Sequence, residues 1–312
     1  MAQNTLPRTL IEAIRYFADL DVCTEFVARL RWSNGQPVCP KCGEGDNAYY
    51  LAKRRVWKCK NRSCAKQFSV KVGTIFEDSP LGLDKWLPAV WLIANSKNGI
   101  SSHELGRALG VTQKSAWFML HRIRLAMAAG SFDKFDGIIE VDETFIGGLS
   151  KNMHADVRRE KITGDGGVDK TMVVGALQRG GKVVAQVIPN VKGETLTNFI
   201  RNNVVEDSMV FTDSFSSYSK VRYHFEHGTV DHKLGQYVNG IIHTNGIENF
   251  WALLKRSIKG TYISVGTEHV LRYVDERVFA FNNCKDNDFG RFQLALDGIV
   301  GRRITYAELT GK

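Results

Sequence analysis

The chain has 312 residues, which is enough for two or three domains of ordinary size. With 43% hydrophobic, 10% aromatic and 24% charged residues and only 6 prolines, it is neither disordered nor fibrous. The net charge of +9 is uneven: residues 1–133 carry 19 basic and 11 acidic side chains, whereas residues 134–312 carry 23 and 22. The basic first part indicates a module that binds a polyanion, joined to a second module with another task.

Two features argue against a membrane or secreted protein. The longest apolar stretch, Trp86 to Ala94, is too short to span a bilayer. The first 22 residues lack the basic-then-apolar layout of a secretory signal. We therefore expect a cytoplasmic protein, with no membrane partner, whose 6 cysteines bind metal or stay reduced.

Hydrophobic periodicity and turn residues predict five segments. They are an N-terminal helical segment (1–31), a four-cysteine ribbon (32–76), a helical region (77–130), a mixed α/β domain (135–285) and a C-terminal tail (286–312). The last domain opens with strands and continues with alternating helices and strands, which favours an α/β fold of mixed α+β order. A polar, glycine-rich stretch at 147–170 predicts a long loop between two of its strands.

Four cysteines form two close pairs, Cys39 with Cys42 and Cys59 with Cys64. Two thiolates on one tight turn can share a cation, and two such turns complete the tetrahedral shell that Zn²⁺ prefers. A redox pair needs only one of these turns and would leave the second unexplained. We therefore predict a zinc ribbon. Cys23 and Cys284 fit the pattern of buried or incidental thiols.

Basic and aromatic residues surround these cysteines, among them Arg54 and Arg55 beside Tyr49, Tyr50 and Trp57. Such a mixture can contact phosphates while the aromatic rings pack the ribbon or stack on bases. A run of charge is more often only a solvated surface. Its coincidence with a zinc ribbon favours nucleic-acid binding.

Residues 101–124 have the layout of a helix-turn-helix. Leu105 and Leu109 bury the first helix, Gly110 permits the turn and Thr112 caps the second helix. That helix presents Gln113 and Lys114 near its start, where recognition helices meet base edges. An ordinary helical hairpin remains an alternative.

Acidic residues follow two strand-like runs in the second half: Asp142 in 137–145 and Asp213 after 209–212. Two aspartates brought together at strand ends form a hard-oxygen site for Mg²⁺ or Mn²⁺. A predicted helix then carries Glu248 and Lys255, which lie two turns apart on one face. Three carboxylates could bind two divalent ions for phosphoryl transfer. Chance strand-end and surface positions would give the same pattern.

The runs VDETFIGG, TDSFSSY, VDHKLGQYV, HTNGIENFWALLKRSIKGTY and HVLRYVDERVFAFNN resemble the DDE transposases of bacterial insertion sequences. The similarity is to the ISXO type, which joins a zinc ribbon to a ribonuclease H-like domain. It implies a five-stranded mixed sheet flanked by helices, with Asp142, Asp213 and Glu248 as catalytic metal ligands. Lys255 is implied to contact transposon-end DNA, with Arg256 beside it. Some members have asparagine as the third catalytic residue, so Asn245 is an alternative to Glu248.

The resemblance implies an enzyme that binds terminal inverted repeats, cleaves the strands with divalent metal and joins the 3′-hydroxyl to target DNA. Because two DNA ends must be held together, we expect a homo-oligomer on DNA. His154, His243 and the basic residues of the long loop (Lys151, Arg158, Arg159 and Lys161) are further candidate contacts. Two alternatives remain: a transcription regulator, and a ribonuclease H-like nuclease derived from a degenerate transposase.

Overall fold

The computed structural model describes residues 6–128, 133–147, 156, 170–231, 234–235 and 238–311. Its contacts divide the chain into two compact units. Unit 1 comprises Met1–Ala128 with Lys285–Lys312, and unit 2 comprises Ala129–Cys284. The C-terminal segment, which the sequence predicts as a tail, is therefore part of the first unit. In the described part of the chain, no helix is long and apolar enough to cross a membrane.

The helices and strands of the structure include the predicted helix pair at 101–124, the strand-like runs at 137–145 and 209–212, and the helix that carries Glu248. In chain order they are α1 (Leu10–Tyr16), α2 (Leu20–Arg31), β1 (Ala48–Leu51), β2 (Val56–Cys59), β3 (Gln67–Phe68), α3 (Leu83–Asn95), α4 (Ser102–Leu109), α5 (Gln113–Met127), β4 (Ile138–Ile146), β5 (Thr171–Gln178), β6 (Val183–Ile188), α6 (Gly193–Asn203), β7 (Met209–Asp213), β8 (Glu226–Val230), α7 (Asn245–Ser257), α8 (Val270–Asn282), α9 (Asp288–Asp297) and α10 (Tyr306–Thr310). Strand β8 and helices α8 to α10 were not predicted.

An aromatic cluster holds unit 1 together. The rings of Phe17 and Phe26 lie 5.2 Å apart, and Phe292 of α9 lies 5.5 Å from Phe17 and 5.2 Å from Trp91 of α3. Aromatic pairs at these separations bury large apolar areas in favourable geometry. The segment after residue 285 thus supplies part of the core of unit 1.

Unit 2 is built on a five-stranded sheet in the order β6-β5-β4-β7-β8. Strand β4 pairs antiparallel with β5 and parallel with β7, and β7 pairs parallel with β8. The mixed five-stranded sheet with flanking helices is therefore confirmed. Its central strand, β4, carries Asp142.

The two faces of this sheet bury separate cores. Ile139 and Val141 of β4 pack in one core with residues of α6, and Ile146 packs in the other with residues of α7 and α8. Because side chains alternate along a strand, Glu140 and Asp142 lie on the same face as Ile146, the α7 face. Gly175 of β5 lets α7 approach, since an added Cβ would lie 2.8 Å from the Trp251 ring.

Candidate functional site

The four predicted zinc ligands converge in unit 1. The sulfur atoms of Cys39, Cys42, Cys59 and Cys64 all lie within 4.8 Å of one another. The pairs Cys39–Cys64 and Cys42–Cys59 are each 3.7 Å apart. Zn–S bonds of about 2.3 Å in a tetrahedron place sulfur atoms about 3.8 Å apart, so the cluster fits Zn²⁺.

Two backbone turns aim these thiols inward. Gly43 adopts φ 73° while its N–H donates to the carbonyl oxygen of Cys39 at 2.9 Å, and a glycine makes this conformation favourable. The Glu44 carboxylate accepts hydrogen bonds from Asn47 and Asn61, one beside each turn. These bonds lower the pKa of Glu44. The carboxylate therefore links the two turns.

The Cys39 thiol ionises readily. Desolvation raises its pKa, but hydrogen bonds from the backbone N–H groups of Cys42 and Lys41 outweigh that effect and lower the pKa to about 7.

A hydrogen bond from the Glu44 N–H lowers the pKa of Cys42, but desolvation and the neighbouring thiols outweigh it and raise this pKa to about 12; desolvation also raises the pKa of Cys59. Zinc binds thiolates and would therefore displace the protons of these two ligands. Burial raises the pKa of the Cys23 thiol to about 12 as well, and Cys23 lies outside the cluster.

Replacing Cys39 with serine is expected to abolish stoichiometric zinc binding and to loosen the ribbon, because only three thiolates would remain. Zinc content after gel filtration, measured by a chromogenic chelator, checks this. The matched control is Cys284→Ser, which changes an exposed cysteine outside the cluster and should keep full zinc. Full zinc occupancy in Cys39→Ser would contradict the assignment.

The predicted helix-turn-helix layout is present as α4 and α5. Ser101 and Glu104 form a capping box at the start of α4, and Gly110 ends it at φ 66°. Thr112 caps α5 by accepting a hydrogen bond from the Ser115 N–H at 3.2 Å. Gly106 is needed for the tight turn, since an added Cβ would lie 3.0 Å from the Val111 carbonyl oxygen.

The candidate DNA-binding residues of unit 1 differ in whether their side chains already contact other residues of the protein. Gln113 is exposed, with its amide donating to the Ser102 hydroxyl at 2.9 Å. The Lys114 ammonium lies 4.7 Å from the centre of the Tyr306 ring of α10. Arg54 is exposed, whereas Arg55 pairs with Asp21 at 2.5 Å. DNA would thus have to compete for Lys114 and Arg55.

The two predicted aspartates lie on neighbouring parallel strands. Glu140 of β4 is in register with Phe211 of β7, so Asp142 and Asp213, each two residues further on, come side by side on the same face. Asp213 is the last residue of β7, and its carboxylate accepts from the Phe215 N–H at 3.0 Å. Both carboxylates therefore lie on the α7 face of the sheet.

Helix α7 brings the remaining predicted residues to this face. Glu248 stands in its first turn and accepts a hydrogen bond from the Thr244 hydroxyl at 2.8 Å. Asn245 is the exposed first residue of the helix, one turn before Glu248. Lys255 and Arg256 are exposed in its last turn. Asn245, Glu248 and Lys255 share one side of the helix, because their spacing matches whole turns.

The negative charges of the carboxylates on this face influence one another, as the pKa of Asp142 indicates. Desolvation raises the pKa of Asp142 to about 7, and the negative charges of Glu143, Asp213 and Glu248 add to that effect. Desolvation lowers the pKa of Lys255, and the charge of Asp142 opposes it. Among the described residues only the four cysteines form so compact a group of ligands, so the three carboxylates lie further apart.

A buried carboxylate that was not predicted fixes the start of α7. Glu140 is 1% exposed and pairs with Arg179 at 2.7 Å. Its second oxygen accepts from the backbone N–H groups of Gly246 and Ile247 at 2.7 and 3.1 Å. Arg179 also donates to the carbonyl oxygens of Ile241 and His243. The signal was a charged residue inside an apolar strand, two positions before Asp142.

A second unpredicted group backs the site on the opposite face of β4. Glu143 accepts a hydrogen bond from the Tyr218 hydroxyl at 2.6 Å. Desolvation raises the pKa of Glu143, and that bond partly offsets the rise.

The remaining candidates of the 147–170 loop, Lys151, His154, Arg158, Arg159 and Lys161, lie outside the described residues.

Fold and site together define a protein with a four-cysteine zinc-ribbon cluster and a mixed sheet whose neighbouring parallel strands β4 and β7 carry aspartates. Residues 19–67 match the transposase zinc-ribbon domain, and residues 134–282 match the ISXO2-like transposase domain. An "uncharacterized protein in transposable element ISH50" of Halobacterium salinarum is 26% identical over 253 residues, 78% of this chain and 84% of that protein.

An "uncharacterized transposase-like protein" of Haemophilus influenzae is 36% identical over 103 residues, which cover 33% of this chain and 82% of that protein. The chain therefore belongs to the insertion-sequence transposases with an ISXO2-like domain, as the motifs predicted.

Proposed function

We propose that this transposase binds the terminal inverted repeats of its element, cleaves a strand at each end and joins the freed 3′-hydroxyl to target DNA. One observation carries the proposal: Asp142 and Asp213 are side by side at adjacent parallel strands, and α7 brings Glu248 and Lys255 to the same face. Carboxylates held on a rigid sheet and a helix make a preorganised site.

The donor set fits a divalent metal. Asp142, Asp213 and Glu248 would hold Mg²⁺ or Mn²⁺, because carboxylate oxygens are the ligands these ions prefer. Asn245 is the alternative third ligand. Bound divalent ions would activate the attacking water or 3′-hydroxyl and stabilise the leaving oxygen. Desolvation and the neighbouring carboxylates raise the pKa of Asp142, which supports this role, since a bound cation would stabilise the charged form.

Two further groups act on DNA in this proposal. Lys255 and Arg256 extend from the last turn of α7, where their charges would contact the backbone phosphates near the carboxylates. In unit 1, Gln113 and Lys114 at the start of α5 would meet base edges, and Arg54 and Arg55 would contact phosphates. Structural zinc would hold the ribbon that carries these arginines.

A transposase must hold the two ends of its element together, which supports a homo-oligomer on DNA. Transposition of bacterial DNA takes place in the cytoplasm, which supports that location.

The test incubates wild-type protein and Mg²⁺ with a plasmid carrying the repeats that flank the gene, beside a second plasmid as target. We expect cleavage at the repeat ends and joined products, both absent when Mg²⁺ is omitted. Joined products are read by sequencing the junctions.

The outcomes separate the alternatives. Cleavage without joined products would favour a nuclease. Repeat-specific binding with neither cleavage nor joining would favour a transcription regulator. Either result would overturn the proposed transferase activity.

A further inference from the structure

A cavity of about 530 Å³ lies in unit 2 beside the carboxylate site. Three lysines line it, Lys170, Lys255 and Lys259, together with the apolar side chains of Phe145, Ile258 and Ile263. Phe145 is 40% exposed and Ile263 is 75% exposed, so both offer apolar surface to solvent. Cationic and apolar groups thus meet in one cavity.

The chain that forms one wall is strained. After α7 the backbone continues as a π-helix, Ile258–Tyr262, and Ile263 then adopts φ 65° and ψ −57°. The Ser264 N–H donates to the Tyr262 carbonyl oxygen at 2.7 Å, which makes a γ-turn of the rare, strained hand. A β-branched residue with positive φ is a genuine outlier, and such outliers cluster at functional sites.

Neighbouring contacts hold this strained turn in place. The Tyr262 hydroxyl donates to Glu276, and its ring lies edge-on to Tyr273 at 4.7 Å. The Ile263 N–H donates to the Ile258 carbonyl oxygen at 2.7 Å. These contacts hold the backbone of the turn, which presents the exposed Ile263 side chain at the cavity.

The three lysines carry mutually repelling charge. Lys259 and Lys170 lie close enough to Lys255 to add to the lowering of its pKa, which desolvation dominates. Asp142 is the acidic neighbour whose charge opposes this lowering. Bringing three ammonium groups together is unfavourable without an anion. The combination of cations with an exposed aromatic ring fits a nucleotide, whose phosphate is anionic and whose base stacks on aromatic side chains.

We propose that this cavity binds one unpaired nucleotide of the DNA strand next to the cleavage position. Lys170 and Lys259 would contact its phosphates, and Phe145 and Ile263 would contact its base. The inference deepens the proposed function and rests on it only for the identity of the DNA as a transposon end. The preference for an unpaired nucleotide can be tested separately from cleavage.

The test measures binding of full-length protein to two fluorescein-labelled 20-bp duplexes, one blunt and one with a three-nucleotide 3′ tail. Fluorescence anisotropy is recorded with Ca²⁺ in place of Mg²⁺ so that the DNA stays intact. We expect about tenfold tighter binding of the tailed duplex, as stacking of a single base would supply. Phe145→Ala should bring this preference close to one, because it removes the ring on which the base stacks, and Ile263→Ala should reduce it; both should leave blunt-duplex affinity within about twofold.

Lys259→Gln should weaken tailed-duplex binding and reduce its salt dependence by about one counterion, since a phosphate contact is lost. The matched controls are Lys220→Gln, an exposed lysine of the same unit, and Ile11→Ala, an isoleucine that is 60% exposed in unit 1. Both should keep the wild-type preference and salt slope.

Ile263→Gly tests the strain itself. Glycine adopts positive φ freely, so this variant should melt at a higher temperature than wild type while losing the tail preference. No tail preference in the wild type, or an unchanged preference in Ile263→Ala and Lys259→Gln, would overturn the nucleotide cavity. Wild-type protein that prefers the tail but does not cleave with Mg²⁺ would instead count against the proposed function alone.

Discussion

Replacing Asp142 with asparagine is expected to lower Mg²⁺-dependent cleavage about a thousandfold or more while making the metal-free protein more stable. The two effects have one cause. Asp142 is held among Glu143, Asp213 and Glu248 in a desolvated site, where its negative charge is unfavourable without a cation. Asparagine keeps the shape and removes the charge, and with it the preferred metal ligand.

The sign of the stability effect follows from the pKa of Asp142. Its pKa is raised from 3.8 to about 7 in the folded protein. Between these values the unfolded chain has lost the proton that the folded protein keeps, so stability falls as pH rises through this window. At pH 8 the full penalty of about 2–4 kcal/mol is present in the wild type and absent from the asparagine variant.

Urea unfolding at pH 4 and pH 8 in buffer without added Mg²⁺ measures this difference. At pH 4 the two proteins should have similar free energies of unfolding, and at pH 8 the variant should be more stable. Added Mg²⁺ should stabilise the wild type at pH 8 more than the variant, because it binds the folded site. Asp133→Asn, a change at an exposed aspartate, is the matched control and should resemble wild type. Full cleavage activity in Asp142→Asn would contradict the assigned site.

The features that could be predicted from sequence depend on local spacing. Cys39 and Cys42 lie on one turn, as do Cys59 and Cys64, so each half of the metal site comes from a few consecutive residues.

Asp142 was predictable for a related reason, because it is an acidic residue in an apolar strand-like run. The structure places it in the middle of the central strand β4 and not at a strand end. The family resemblance adds that Asp213 and Glu248, which are distant in sequence, belong to the same site as Asp142. Residue spacing alone does not show this.

The unpredicted features depend on contacts between distant parts of the chain. Glu140 becomes a structural group only through Arg179 and the start of α7, which lie 39 and more than 100 residues away. Ile263 has positive φ and follows Tyr262, whose hydroxyl donates to Glu276 of α8. The chain after residue 285 joins unit 1 through Phe292. None of these partners is marked by a local pattern.

Replacing Glu140 with glutamine is expected to destabilise unit 2 by about 3–5 kcal/mol, because it breaks a buried ion pair and leaves the Arg179 charge uncompensated. The glutamine amide group would also face donors on both sides, Arg179 and the Gly246 N–H. Urea unfolding at pH 8 measures the loss. Glu206→Gln, an exposed glutamate of the same unit, should change stability by less than about 0.5 kcal/mol.

If Glu140 positions α7, its replacement should have a further effect that general destabilisation of unit 2 would not produce. Glu140 holds the first turn of α7, so its loss should increase hydrogen exchange at the Gly246 and Ile247 amides before the rest of the helix. Because Glu248 stands in that turn, Mg²⁺-dependent cleavage should fall even at temperatures where Glu140→Gln remains folded.

Double-mutant cycles separate the ion pair from the backbone contacts. In Glu140→Gln/Arg179→Gln the uncompensated cation is gone, so the double variant should be less destabilised than the two single changes together. The amides of Gly246 and Ile247 should nevertheless stay exposed to exchange, since the two-acceptor carboxylate is still missing. Strictly additive losses would mean that Glu140 and Arg179 act independently. Unchanged exchange at the two amides would mean that α7 is fixed by its apolar face on the sheet instead.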